Sequence, residues 1–185
     1  ELELSDRDIL NRFFAACQNQ NTECSFTNLF MWRRCYAVRW AVTDSHLIVE
    51  PNAFEESWIL PPYGFEEDDR LFKAAIEHAA EDYRDRHKRL MIRAVTEKDR
   101  ERLERLFPGR FEFEEEPDIE DYIYDGEKMR TLAGRKLSKK RNHINAFKNE
   151  HPDYELVPLT PYNADLAWDF VEHWCGERNR EEGIN

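Results

Sequence analysis

Apolar positions along the chain recur with two different periods, and the switches between them predict a mixed run of helices and strands. Ile9, Leu10, Phe13, Phe14 and Cys17 share a helical face after Ser5-Asp6-Arg7-Asp8, which reads as a capping box. The Gln-Asn-Gln-Asn-Thr run at 18–22 ends that helix. A shorter helix is expected over about Phe26–Arg33, with Phe26, Leu29, Phe30 and Trp32 apolar. Three β-like runs follow at Cys35–Val42, Leu47–Val49 and Trp58–Leu60, the first two separated by a Thr43-Asp44-Ser45 turn. Pro61-Pro62-Tyr63-Gly64 breaks the pattern before a long helix over about Glu67–His87. Its Leu71, Phe72, Ala75, Ile76, Ala79 and Tyr83 face inward. Leu90–Ile92 reads as a short buried strand, and Thr96–Asp99 as a second capping box opening a helix that Pro108-Gly109 closes. Phe111–Glu114 and Tyr122–Tyr124 read as strands, followed by a turn at Asp125-Gly126. Beyond a basic segment, Tyr154–Leu159 reads as a strand and Asn163–Cys175 as a helix carrying Leu166, Trp168, Phe170, Val171 and Trp174.

This order, α α β β β α β α β β and then α β α, places the chain in the α+β class. The first ten elements resemble the acetyltransferase-like (GNAT) fold without its initial strand. In coenzyme A-dependent members of that fold, the loop before the long helix holds a pyrophosphate on free backbone N–H groups and a helix N-terminus. The matching stretch here is Pro61-Pro62-Tyr63-Gly64-Phe65-Glu66-Glu67-Asp68-Asp69. Its prolines donate no N–H, and its four acids suit the helix dipole but repel a diphosphate. The first domain is therefore expected not to bind acetyl-CoA in the usual way, and to serve as a scaffold or a substrate-facing half.

Composition narrows the class. With 41% hydrophobic and 13% aromatic residues a packed interior is expected. No apolar run approaches the ~18 residues of a membrane span, and Glu1-Leu2-Glu3-Leu4 is unlike a signal peptide, so a cytoplasmic protein is expected. Cys17, Cys24, Cys35 and Cys175 form no CxxC pair and no zinc-finger spacing with histidine, which reads as reduced, mostly buried thiols without metal. No nucleophile elbow, Walker loop or metal motif is present. The aromatic run Phe26–Tyr36 is explained by an amphipathic core helix ending in Arg33 and Arg34, and His46, His78, His87 and His151 by solvent or ordinary packing.

A net charge of −12 excludes nucleic-acid binding over the whole surface. The distribution says more. Glu112–Glu127 holds nine acids and no Lys or Arg, whereas Lys128–Lys148 holds eight Lys or Arg and no acid. Outside that second stretch 19 bases face 39 acids. At about 100° per residue, Leu137, Ile144 and Phe147 of the basic stretch share one arc, and Arg135, Lys136, Lys139 and His143 another. Such a helix can dock on its apolar stripe and still present a positive ridge. Two readings stay open: a solvated face pairing with the neighbouring acids, or a phosphate-contacting ridge for RNA, a nucleotide or an anionic headgroup.

Three motifs carry a family resemblance: Phe26-x-Asn28-Leu29-x-x-Trp32-x-x-x-Tyr36, Asp121-Tyr122-Ile123-Tyr124-Asp125, and Leu132-x-Gly134-x-Lys136-Leu137-x-Lys139-Lys140-Arg141-Asn142-His143-Ile144-Asn145-x-Phe147. Over essentially its whole length the chain resembles uncharacterised bacterial proteins related to the C-terminal domain of phosphatidylglycerol lysyltransferase. That enzyme moves lysine from Lys-tRNA to a membrane lipid, and related peptidoglycan-bridge enzymes also use aminoacyl-tRNA. The resemblance implies a tandem pair of GNAT-like domains: the first over 1–130, then over 131–185 a basic junction helix and the incomplete start of the second. It implies the N-terminal part of an acyl- or aminoacyltransferase, inactive as this fragment. The alternative is a non-catalytic GNAT-like module using the basic helix to hold tRNA or another anionic ligand. Candidate anion- and substrate-binding residues are Arg135, Lys136, Lys139, Lys140, Arg141, Asn142 and His143, while no catalytic residue is named. The implied donor in the complete protein is aminoacyl-tRNA or acyl-CoA, with no cofactor held by this fragment. The expected partners are tRNA or an anionic small molecule and the remainder of the second domain, not DNA. The lysyltransferase also has a large membrane portion, whereas this chain begins directly with its soluble domain, which speaks against a lipid acceptor.

Overall fold

Four consecutive residues of the strand His46–Glu50 (β2) are buried, so this strand is covered on both faces and organises everything around it. The computed structural model describes residues 1–17, 19–53, 56–65 and 68–182, which divide into two compact units, Glu1–Ile123 and Tyr124–Asn185. In the first unit β2 pairs antiparallel with Arg39–Val42 (β1), from Arg39↔Glu50 to Val42↔Leu47. On its other edge it pairs with Tyr63–Gly64 (β5), through His46↔Gly64 and Leu47↔Tyr63. Between them, Asn52–Ala53 (β3) and Glu56–Ser57 (β4) form a separate antiparallel pair.

The alternation of β2 distributes the core into two layers. Leu47 and Val49 pack with Leu10, Phe13 and Phe14 of α1 (Arg7–Cys17) and with Phe26 and Leu29 of α2 (Phe26–Trp32). Ile48 packs with Phe72, Ile76, Ala79 and Tyr83 of α3 (Asp69–Asp85) and with Leu103 of α4 (Glu97–Leu106). The aromatic run is amphipathic as expected: Phe26 and Leu29 are buried, Met31 and Trp32 are exposed, and the Arg33 guanidinium lies 3.6 Å from the centre of the Phe30 ring. The Thr96 capping box forms, with Thr96 Oγ1 accepting from Asp99 N and Asp99 Oδ2 accepting from Thr96 N.

Several expected elements take another form. The first helix begins one step earlier, with a 3-10 turn at Leu4–Asp6 in which Glu3 N donates to Asp6 Oδ2 at 2.8 Å, rather than from a Ser5–Asp8 box. The first β run starts at Arg39 because the chain turns through positive φ at Ala37. Trp58–Leu60 and Leu90–Ile92 are extended segments joined by one parallel bridge, Ile59↔Ile92, and Leu60 N donates to Val49 O at 2.9 Å. Phe111–Glu114, Tyr122–Tyr124 and Tyr154–Leu159 enter no ladder. The expected turn at Asp125-Gly126 is a helix start: Asp125 accepts from Lys128 N at 3.0 Å and opens α5 (Gly126–Thr131).

The second unit contains α5, α6 (Ser138–Glu150) and α7 (Ala164–Glu182). None of its described side chains is buried.

Candidate functional site

The basic stretch is shaped by its backbone first. After α5, Leu132 takes φ +49° and Gly134 φ +88°, the left-handed conformations that end one helix and redirect the chain. A 3-10 turn, Arg135–Leu137, leads directly into α6, with Ser138 Oγ donating to Arg135 O at 2.8 Å. The result gathers Arg135, Lys136, Lys139 and Lys140, all exposed, around the N-terminal end of α6. His143 follows one turn on, and Asn142 is also exposed.

That arrangement is electrostatically costly as it stands. The N-terminus of a helix carries about half a positive charge, and acids there are worth about 0.3–1 kcal/mol each. Here the first turn of α6 holds no acid, and no side chain caps it. Among the described residues of this unit, no acid pairs with Arg135, Lys136, Lys139 or Lys140. Of the acids that precede the cluster in this unit, Asp125 pairs with Lys128 at 3.5 Å and Glu127 with Arg130 at 2.7 Å. In the first unit Glu112 meets Arg89, Glu116 meets Arg93, and Asp121 accepts from Thr22 N and Oγ1 at 2.9 Å each. What the start of α6 offers chemically is a solvent-facing cluster of cations at the positive end of the helix dipole, suited to phosphate or carboxylate groups.

Arg141 stands apart from this cluster. It is half-buried, and its Nη1 donates to Leu132 O and, at 2.7 Å, to Gly134 O. The pattern of charges gave no sign of this, because the contact depends on the turn that brings those carbonyls back to the helix. On the apolar stripe Leu137 is half-buried, while Ile144 and Phe147 are 44% and 49% exposed. The Phe147 ring lies 4.8 Å from His151 and 5.5 Å from Tyr154.

The first unit holds a polar centre that no local sequence pattern marks. The Glu50 carboxylate accepts from Arg39 Nη2 at 2.9 Å, Arg86 Nη1 at 2.8 Å and Tyr83 OH at 3.2 Å, beside a cleft of about 300 Å³. Its charges balance internally, Asp82 standing 2.6 Å from Arg86 Nη2. It ties β1, β2 and α3 together.

The loop compared with a coenzyme A site is otherwise engaged. Pro61 and Pro62 are buried, Tyr63-Gly64 forms β5, and Asp68 accepts from Arg70 N at 2.8 Å and Leu71 N at 3.4 Å. The amides a diphosphate would use at the start of α3 thus serve a carboxylate of the chain itself. Burial pushes the Cys17 thiol up and the Cys24 thiol up to about 11, so neither is a ready nucleophile. Both are half-buried and Cys35 is exposed, contrary to the expectation of mostly buried thiols, while the side chain of Cys175 lies outside the described residues. Among the described residues no group of three His, Cys, Asp or Glu could hold a metal ion, and no helix is long and apolar enough to cross a membrane.

A family model described as phosphatidylglycerol lysyltransferase, C-terminal, matches residues 14–185. The crystal structure of a conserved protein of unknown function from Bacteroides thetaiotaomicron VPI-5482 is similar at a TM-score of 0.88 and 34% sequence identity. That match covers 100% of this chain and 61% of that chain, so this chain spans less than two thirds of its relative's length. No curated protein matches the chain.

Proposed function

The chain belongs to the phosphatidylglycerol lysyltransferase C-terminal family, and from that membership we propose that it is part of an acyl- or aminoacyltransferase whose basic helix receives an anionic, tRNA-borne donor. The observation that carries this reading is the crowding of Arg135, Lys136, Lys139 and Lys140 at an uncapped helix start with no acid of their own unit to pair with. A cost of that kind is offset when a polyanion binds and releases its counterions. In such an enzyme the nucleophile, an amine or hydroxyl, attacks the ester carbonyl and the tRNA hydroxyl leaves. Catalysis comes from positioning and from donors to the developing oxyanion. No residue of this chain is assigned to that step.

The proposal extends to architecture. Residues 1–130 form a GNAT-like scaffold domain, and 131–185 are a junction helix with the beginning of a second domain. Leu156, Leu159, Tyr162, Leu166, Trp168 and Phe170 are each at least 67% exposed apart from Trp168 at 64%, and further polypeptide of the same protein would cover them. A second reading rests on the occupied start of α3: the chain belongs to a non-catalytic GNAT-like module that uses the basic helix to hold tRNA or another anionic ligand.

The test is binding of aminoacylated tRNA at several salt concentrations, with a Lys136→Glu/Lys139→Glu/Lys140→Glu variant alongside. Tight binding that weakens steeply with salt and collapses in the variant supports the reading. Absent or salt-insensitive binding refutes it, and preference for anionic lipid vesicles over tRNA moves the site to a headgroup. Transfer of the amino acid to an added amine or hydroxyl separates the enzyme from the binding module.

A further inference from the structure

Of the cations on the basic stretch, one is used differently from the others. Arg135, Lys136, Lys139 and Lys140 are exposed, whereas Arg141 is half-buried and, two residues on, faces away from Lys139 on α6. Its Nη1 reaches back to two carbonyls of the preceding linker, those of Leu132 and Gly134. Leu132 is the C-cap of α5 and Gly134 the residue before the 3-10 turn, so the pair of bonds spans the whole reversal. Both residues have positive φ. At Leu132 that conformation strains an L side chain and needs a compensating contact. Immediately after the clamped carbonyls come Arg135 and Lys136, both exposed.

We propose that Arg141 is a positioning residue: it clamps the Leu132–Gly134 reversal and thereby aims Arg135 and Lys136 along the same side of α6 as Lys139, without itself being a phosphate contact. This rests on the reading of the ridge as an anion site and deepens it, by dividing the cations into those that bind and the one that arranges them. The division follows from chemistry. Arginine Nη lies one bond farther from Cα than lysine Nζ and is held in the plane of the guanidinium, so a lysine here keeps the charge and falls short of the two carbonyls.

The experiment pairs two readouts on the 185-residue chain with deacylated total tRNA as the probe: affinity as a function of salt, and peptide-level hydrogen exchange over residues 132–137. Four proteins are compared: wild type, Lys139→Gln, Arg141→Gln and Arg141→Lys. Lys139→Gln is expected to lower the salt slope by about one and leave exchange unchanged, as loss of one phosphate contact does. Arg141→Gln and Arg141→Lys are both expected to raise exchange at 132–137 at least tenfold and to weaken binding alike, several-fold, although one keeps the charge. Wild-type behaviour of Arg141→Lys in both readouts would overturn the proposal, since charge alone would then suffice. So would a loss of one unit of slope in Arg141→Gln with exchange unaltered. Wild-type chain that does not bind tRNA refutes the anion site itself, and exchange still decides separately whether the clamp exists.

Discussion

A methyl group added to Gly64 would stand 2.5 Å from Nε2 of His46 and 2.8 Å from two ring carbons, because β2 and β5 place these residues directly opposite one another. The glycine is there to admit an imidazole, not to relieve its backbone. Gly64→Ala should destabilise the chain by about 1–3 kcal/mol, read as a fall in the urea midpoint, and His46→Ala in the same chain should recover part of the loss. The ring it makes room for is 1% exposed, edge-on to Phe72, with Nδ1 2.8 Å from Ser45 Oγ. Burial, and then the charge of Arg102, push His46 below its ordinary value of 6.5, so the folded state prefers it neutral. That preference contributes stability fully above about pH 6.5 and loses it as pH falls through the lower folded value. Glu23 runs the other way, its carboxyl pushed up by burial and by Asp121. The difference between wild type and His46→Gln isolates the histidine. Urea midpoints from pH 7.5 to pH 5 should drop more steeply for wild type, and parallel curves would refute this account.

At the scale of elements, α4 is held to α3 by Asp69, which accepts from Arg102 Nε at 2.9 Å and also pairs with Arg105. Hydrogen bonds from Arg105 and then Arg102 bring its carboxyl down to about 2. The tie is therefore present above the ordinary carboxylate value of 3.8 and weakens as pH falls toward 2. In Asp69→Ala the amides of α4 should exchange faster at neutral pH, with α1 and α2 unaffected, and unchanged α4 protection would show the pairing to be idle. Thr96→Ala removes the cap of the same helix and should cost about 1 kcal/mol by chemical denaturation. Both caps and helices of this kind were legible in the sequence, since Thr96–Asp99 and the apolar face of α3 are local patterns of three or four residues. Phe111–Glu114, Tyr122–Tyr124 and Tyr154–Leu159 alternate or carry β-formers equally well and still enter no ladder. Alternation states which side chains share a face and says nothing of a partner strand, which is a non-local matter. Likewise the cations of α6 were legible as a group, while the separate use of Arg141 was not, because it depends on a positive-φ reversal between two helices. The Glu50 centre escaped for a similar reason: its donors come from residues 39, 83 and 86.

For the molecule as a whole, the two units differ in how much they bury. The first holds two apolar layers on a doubly covered strand, including Leu10, Leu47, Val49, Phe72 and Tyr83, each at most 1% exposed. In the second no described side chain is buried, and Tyr154, Leu156, Leu159, Trp168 and Phe170 are between 44% and 94% exposed. Helices of 13 and 19 residues gain little stability without a packed face, so α6 and α7 should be markedly less protected than α3 when nothing covers them, with the reversal that Arg141 clamps keeping a measurable part of that protection. The cooperative unfolding of the chain therefore belongs to Glu1–Ile123. A polypeptide ending at Ile123 should keep the urea midpoint of the 185-residue chain within about 0.5 kcal/mol, the margin usual for changes that touch no core contact. In the longer chain, amides after Tyr124 should exchange orders of magnitude faster than those of β2 and α3. If instead removing 124–185 lowers the midpoint substantially, or α6 and α7 prove as protected as α3, the second unit owes its order to contacts within this chain, and the view that it awaits further polypeptide falls. The same measurement bears on the ridge: cations on a weakly protected helix gain order as they bind a polyanion, which would show as protection of α6 rising when tRNA is added.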